Sequence, residues 1–194
     1  MKTNYNIVMK QQIKALQSKP KLLLHVCCAP CSSAVIEKLK QFFDITLYYF
    51  NPNTYPESEY NLRAEQFAKL TDLPLIVCKY DHNQFLQSVK GFEDNVEGGQ
   101  RCQKCIALRL NQSFDYAKNN NFDYVTTTLS ISPHKDAQFI NICGENLQQI
   151  YNISYLYADF KKDNGYLNSI NLSKQFNLYR QDYCGCEFSF NTKQ

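Results

Sequence analysis

The sequence predicts an α/β protein with a parallel sheet and helices on both faces. Two observations lead to this fold class. Short apolar segments alternate along the chain with amphipathic segments of helical period, and the first apolar segment, KLLLHV, is a continuous run typical of a buried strand. Because parallel strands need crossover connections, the alternation favours right-handed strand–helix–strand units. No internal repeat and no long linker divides the chain.

The predicted elements follow one another in order. Residues 1–20 are expected to form an N-terminal helical extension, because their apolar residues have the spacing of an amphipathic helix, and residues 21–194 a single α/β metal-binding domain. The predicted strands are residues 21–26, 44–50, 74–80, 123–128 and 153–157. The predicted helices are residues 32–43, 56–71, 101–118, 133–151 and 169–176.

Composition and cysteine content indicate the compartment and the kind of chemistry. The chain of 194 residues is 44% hydrophobic and has a net charge of +3, which is a weak basic bias. Its apolar runs are too short to span a bilayer, and its first residues lack the apolar core of a signal peptide. A cytoplasmic protein without a membrane partner is therefore expected. Nine cysteines in a reducing compartment favour metal binding or redox catalysis over structural disulfides.

Seven of the nine cysteines form three tight motifs. The first motif is Cys27-Cys28-Ala29-Pro30-Cys31, the second is Cys102-Gln103-Lys104-Cys105 and the third is Cys184-Gly185-Cys186. The first lies between a strand and a helix, on the side of an open sheet where ligands bind. The second begins a helix, whose N-terminus favours thiolates. Thiolates suit iron–sulfur clusters, zinc or copper(I), so the motifs predict a metal centre.

The number of cysteines exceeds what one structural zinc ion needs. A zinc site uses four ligands, so the surplus indicates a second metal or a redox dithiol. A Cys184–Cys186 disulfide would close a very small ring and would be easily reduced, which suits catalysis. Cys78 in a predicted strand and Cys143 on an apolar helix face are expected to be core residues. His25, in the first strand, is expected to be a hydrogen-bonded core histidine.

Five segments together resemble the QueH-type epoxyqueuosine reductases. They are LLHVCCAPCSS (23–33), YYFNPNTYPESEY (48–60), GGQRCQKCIALRL (98–110), TTTLSISPHKD (126–136) and LYRQDYCGCEFS (178–189). The resemblance implies a fold similar to the adenine-nucleotide α-hydrolase-like (HUP/PP-loop-like) group. It also implies removal of the epoxide oxygen of epoxyqueuosine at the wobble position of tRNA to give queuosine. The implied cofactor is a [4Fe-4S] cluster rather than cobalamin, with an electron donor that stays unidentified.

The resemblance also divides the cysteines into two sets. The implied cluster ligands are Cys27, Cys28, Cys102 and Cys105. Cys184 and Cys186 are implied either as a redox pair or as ligands of a second, mononuclear iron, with Cys31 as a third ligand of that iron. The division stays open here, because adjacent cysteines need not point at the same metal.

The implied reaction needs an acid and contacts to RNA. The candidates for protonating the departing oxygen are Asp136, Asp182 and Tyr183. The candidates for contacts to tRNA phosphates are Arg101, Arg109, Lys135 and Arg180. The main alternative is a non-catalytic zinc-binding interaction protein, which predicts a colourless chain with one tightly held zinc ion.

Overall fold

A computed structural model describes residues 2–191. The strands are β1 (Lys21–His25), β2 (Asp44–Tyr49), β3 (Leu75–Val77), β4 (Tyr124–Thr127) and β5 (Ser154–Tyr155). The helices are α1 (Tyr5–Ala15), α2 (Ala29–Leu39), α3 (Glu57–Glu65), α4 (His82–Ser88), α5 (Gln100–Asn119), α6 (Ala137–Tyr151), α7 (Gly165–Gln175) and α8 (Glu187–Asn191). The strands form one parallel sheet in the order β3–β2–β1–β4–β5. This is the α/β fold predicted from the sequence, with the arrangement of the HUP-like group.

Apolar residues of β1 supply the cores on both faces of the sheet. Leu22 and Leu24 belong to the cluster that includes Leu39 of α2, and Leu23 belongs to the cluster that includes Leu110 of α5. Successive strand residues point to opposite faces, so a continuous apolar run serves two helical layers. α2 packs with α7 on one face and α5 with α6 on the other, which confirms helices on both faces.

The N-terminal helix packs against the same body. Met9 is buried in the cluster that contains the α2 residues. The Gln12 amide donates to the Tyr155 carbonyl at 2.9 Å, and its oxygen accepts from the Tyr157 amide at 3.0 Å. Ile7 of the same helix is 51% exposed, so not every apolar residue of the predicted amphipathic helix is buried. The boundary at residue 20 stays a sequence prediction. No helix within residues 2–191 is long and apolar enough to cross a membrane.

Several element boundaries differ from the prediction. The helix predicted over 133–151 starts at Ala137, because Asp136 is its N-cap and accepts from the Gln138 amide at 2.8 Å. Similarly, α2 starts at Ala29 rather than residue 32, since Cys28 is its N-cap and Pro30 suits a first turn. β3 has three residues instead of seven. The helices α4 and α8 were not predicted, because seven and five residues show too little periodicity.

The strand order reverses between β1 and β4, at the carboxyl end of the sheet. His25 ends β1 and is fully buried. Its Nε2 donates to the Phe50 carbonyl at 3.2 Å, and its Nδ1 accepts from the Thr127 hydroxyl at 2.8 Å. Burial lowers the pKa of His25 to about 3, so the ring is neutral. The expected core histidine is confirmed, and it fixes the strand end from which the first cysteine motif emerges.

Candidate metal centre

The three cysteines of the first motif converge where β1 leads into α2. The sulfurs of Cys27 and Cys28 lie 3.8 Å apart, and all three sulfurs lie within 4.8 Å of one another. A tetrahedral metal with metal–sulfur bonds of about 2.3 Å separates its sulfur ligands by about 3.8 Å. Cys28 Sγ also accepts from the Cys31 amide at 3.4 Å and from the Gln181 side-chain amide at 3.1 Å. The first motif therefore has the spacing of a site for a single metal ion.

The three thiols have different proton affinities. Hydrogen bonds from Cys28 and Cys31 hold the pKa of Cys27 well below its ordinary value, and the charges of Lys135 and Arg109 act in the same direction. Burial raises the pKa of Cys28 to about 12. The pKa of Cys31 is raised because its thiol donates to Cys27 and Cys28. Cys27 is therefore the cysteine of this motif whose thiolate form is most favoured, and two neighbouring thiols stabilise that form, which prepares the motif for a cation.

The cysteines of the second and third motifs form another group around an adjoining cavity. The cavity has a volume of about 70 Å³ and is lined by Cys102, Cys105, Cys184 and Cys186. The cysteines of the second motif lie three residues apart at the start of α5, so both side chains lie on the same face of the helix. Burial raises the pKa of Cys105, and that of Cys186 to about 12. Four cysteines around one cavity match the donor set of an iron–sulfur cluster.

Arg63 of α3 holds the third motif in place. Its Nε lies 2.7 Å from Glu59 Oε1, and both side chains are buried. Its Nη1 donates to the Cys184 carbonyl at 3.4 Å, and its guanidinium lies over the Tyr183 ring, 5.2 Å from the centroid. Gly185 has φ +124°, and a Cβ there would lie 2.8 Å from Arg63 Nη1. Glycine is therefore needed at the centre of the third motif.

The remaining cysteines are structural. Cys78 and Cys143 are half-buried and pack against the core beneath α5 and α6. Burial raises the pKa of Cys143 to about 11 and raises that of Cys78. All nine cysteines lie in the described part of the chain, and none forms a disulfide. The disulfide expected between the cysteines of the third motif is not formed in this structure.

The three candidate acids occupy different settings. Asp136 caps α6 and lines the small cavity. Tyr183 donates its hydroxyl to the Tyr55 carbonyl at 2.6 Å, and burial raises its pKa to about 12. Asp182 is exposed and lines a second, larger cavity together with Tyr183. Asp136 and Tyr183 thus both have structural roles in addition to any catalytic one.

Two of the four cations predicted to contact tRNA lie inside the protein. Arg101 and Arg109 are 6% and 4% exposed. Arg101 donates to the Glu93 carbonyl and lies over the Phe188 ring, 4.6 Å from the centroid. Arg109 donates to Asn51 Oδ1 at 3.1 Å. These contacts favour internal roles for both arginines over contacts with phosphates on the surface.

The other two cations are more accessible and line the larger cavity. Arg180 is exposed, and its Nη1 donates to the Ser173 hydroxyl at 2.8 Å. Lys135 is half-buried, with Nζ 3.6 Å from Cys184 Sγ. The cavity has a volume of about 450 Å³, in the range of small-molecule sites. Its wall includes Cys27, Cys31, Arg63, Lys135, Arg180 and Tyr183.

Sequence reasoning missed three residues of this site. Gln181 lies inside a matching segment but was not singled out, and its contact to Cys28 spans 153 residues of sequence. Glu59 lies near the end of the segment 48–60, which is another of the segments that resemble the family. Arg63 lies three residues after that segment ends. Their i, i+4 spacing on a predicted helix was a signal for an ion pair, although nothing in it indicated a link to the cysteines.

Fold and site together define a class: an open, parallel α/β protein with a cluster of cysteines that could hold a metal at the switch point of its sheet. Residues 22–192 match the family described as epoxyqueuosine reductase QueH. The chain is 41% identical to the epoxyqueuosine reductase QueH of Streptococcus pyogenes serotype M1, over 97% of this chain and 78% of that protein. It is 40% identical to the Staphylococcus epidermidis protein of the same name, over 97% and 85%. It is 32% identical to the Thermotoga maritima one, over 87% and 89%. The chain belongs to the epoxyqueuosine reductase QueH family, which confirms the resemblance.

Proposed function

We propose that the chain removes the epoxide oxygen of epoxyqueuosine at the wobble position of tRNA to give queuosine, as an iron–sulfur-dependent, cobalamin-independent oxidoreductase. Family membership supports the substrate and the reaction. The deoxygenation consumes two electrons and two protons and releases water, so the protein needs a redox group. Six of the seven cysteines line two adjoining cavities, and the sulfur of the seventh, Cys28, lies 3.8 Å from that of Cys27. This convergence carries the proposal.

The donor set fits iron. Thiolates are soft ligands, and four of them suit a [4Fe-4S] cluster. The residues proposed to hold that cluster are Cys102, Cys105, Cys184 and Cys186, and those proposed to hold a second, mononuclear iron are Cys27, Cys28 and Cys31. This division differs from the one that the resemblance implied, and the 3.8 Å sulfur separation in the first motif supports it. When bound, the iron centre would supply the two electrons of the deoxygenation.

The larger cavity is the proposed site for the modified base. Its volume of about 450 Å³ suits one nucleobase with a small ring substituent. A wobble base lies in a single-stranded loop, so it enters such a cavity without breaking a base pair. Exposed Arg180 at this cavity is placed for a phosphate contact, and the ring of Tyr183 for stacking.

Charged residues of the same cavity would assist the cleavage of the carbon–oxygen bond. Negative charge develops on the epoxide oxygen as the bond breaks, and the cations Arg63 and Lys135 in the wall stabilise it. Asp182 and Tyr183 line this cavity and stay the candidates for proton delivery, whereas Asp136 lines the smaller one. A cytoplasmic location stays a prediction.

The first experiment is an anaerobic purification and reconstitution, with iron and acid-labile sulfide analysis, followed by incubation with a chemical reductant and tRNA that carries epoxyqueuosine. Mass spectrometry of the digested tRNA should show the loss of one oxygen atom. Cys143→Ser is the matched control, because this half-buried cysteine lies outside both cavities. A colourless protein that holds stoichiometric zinc after anaerobic reconstitution would reject the proposal in favour of a zinc-binding interaction protein.

A further inference from the structure

Two cations, Arg109 and Lys135, lie between the two groups of cysteines. Both side chains line both cavities, as does Cys184. Arg109 is 4% exposed, and within the described chain its buried Nε has no hydrogen-bond partner. The Nζ of Lys135 lies 3.6 Å from Cys184 Sγ. Both cations therefore face the interior of the site.

The described chain offers these cations no carboxylate partner. The ion pairs among residues 2–191 use the cations Lys10, Lys38, Arg63, His82 and Lys161. Among the carboxylates that line the cavities, Glu97 and Asp182 are exposed and Asp136 caps α6. A buried cation without a counter-charge destabilises the fold, and two neighbouring cations repel each other. A site with this charge is stable when its occupant is anionic.

The groups that would carry the opposite charge near these cations are the cysteines of the three motifs, which bind metals as thiolates. Burial acts to lower the pKa of Arg109, but the net direction is upward, because ionised sulfurs nearby would stabilise the guanidinium. These sulfurs belong to Cys105, Cys27, Cys184 and Cys102. The pKa of Lys135 is raised most strongly by Cys184. Asn51, which accepts the hydrogen bond of Arg109, donates from Nδ2 to the Val26 carbonyl at 2.9 Å. The guanidinium is thus tied to the turn that precedes Cys27.

We propose that Arg109 and Lys135 are positioning residues: a fixed pair of counter-charges that holds the anionic metal–thiolate centre between the three motifs and raises its reduction potential. This inference rests on the proposed function, which supplies the iron centre. Reduction adds negative charge to such a centre, so fixed cations stabilise the reduced form more than the oxidised form. The absence of a carboxylate partner in the described chain is what leaves both charges available for the centre.

The test compares charge-removing with charge-conserving variants. Arg109→Met, Arg109→Lys, Lys135→Met and Lys135→Arg are reconstituted anaerobically, and their iron content and midpoint potential are measured with redox dyes. Each methionine variant should hold iron but be harder to reduce. At a fixed potential of the solution, the ratio of reduced to oxidised centre should fall at least about tenfold, the effect of one unit charge about 12 Å away at an effective dielectric constant of about 20. The charge-conserving variants should stay near the wild-type potential.

Two outcomes would overturn the inference. One is a wild-type potential in both methionine variants, and the other is an equal shift in the methionine and the charge-conserving variants, which would indicate a structural effect. If Arg109→Met does not fold, the two Lys135 variants decide alone, since this half-buried side chain contributes less to the core. A wild-type chain that binds no iron would instead reject the proposed function, so the two failures are distinguishable.

Discussion

The carbonyl oxygen of Cys184 accepts a hydrogen bond from Nη1 of Arg63 at 3.4 Å, although 121 residues separate them in the sequence. The contact links the third cysteine motif to α3. A second link lies nearby, because the Tyr55 amide donates to the Gly185 carbonyl at 2.8 Å. The third motif is therefore positioned by the segment that follows β2, and changes in that segment should alter metal binding without touching a cysteine.

Gly185→Ala should displace either Arg63 or the third motif. The new Cβ would lie 2.8 Å from Arg63 Nη1, and φ +124° disfavours any side chain. We expect a destabilisation of about 2 kcal/mol or more and a loss of most acid-labile sulfide after reconstitution. Gly91→Ala is the matched control, because Gly91 has φ +83° but no atom within 4 Å of its would-be Cβ. Equal effects of the two changes would contradict the proposed crowding.

Glu59→Gln should destabilise the chain through Arg63. The carboxylate of Glu59 lies 2.7 Å from Arg63 Nε and accepts from the Tyr179 hydroxyl at 3.2 Å. Loss of its charge leaves a buried guanidinium uncompensated, which costs about 3 kcal/mol. Urea unfolding of the reduced, metal-free chain measures this. Glu57→Gln, an exposed change in the same helix, should shift the free energy of unfolding by less than about 0.5 kcal/mol.

The sequence was sufficient for the sheet and for the location of the first motif. Residues 22–24 of β1 are all apolar, without the alternation of polar and apolar residues that a strand with one solvent-facing side shows. This pattern predicts helices on both faces of the sheet, and the structure has a core on each face. Cys27 lies two residues after the end of β1, so its position at the carboxyl edge of the sheet was predictable.

The grouping of the cysteines was not predictable from sequence. Which thiols share a metal depends on distances between elements, and the third motif follows the last strand by a path without periodic pattern. The burial of Arg109 was not predictable either, because arginines in polar helices are usually exposed. Its partners Asn51 and the cysteines become its neighbours only in the folded chain. Sequence therefore supplied the candidate ligand residues, and the structure supplied their neighbours.

The proposed division of the cysteines predicts different losses for two serine variants. Cys31→Ser should lower the iron content by about one atom per chain and leave the acid-labile sulfide unchanged, because the first motif has the spacing of a single-metal site. Cys105→Ser should instead remove most of the sulfide. Cys143→Ser should change neither quantity. Loss of sulfide in Cys31→Ser would contradict this division and favour the one implied by the resemblance.

Arg180→Gln should weaken the binding of tRNA without changing the chemistry. Arg180 is exposed at the larger cavity, where a phosphate contact adds binding in the ground state and the transition state alike. We therefore expect KM for tRNA to rise several-fold at unchanged kcat, with the slope of log K against log salt reduced by about 1. Lys174→Gln is the control, because Lys174 is exposed on α7 and does not line the cavity. A fall in kcat for Arg180→Gln, or the same rise in KM for both variants, would show that Arg180 does not act as a phosphate contact.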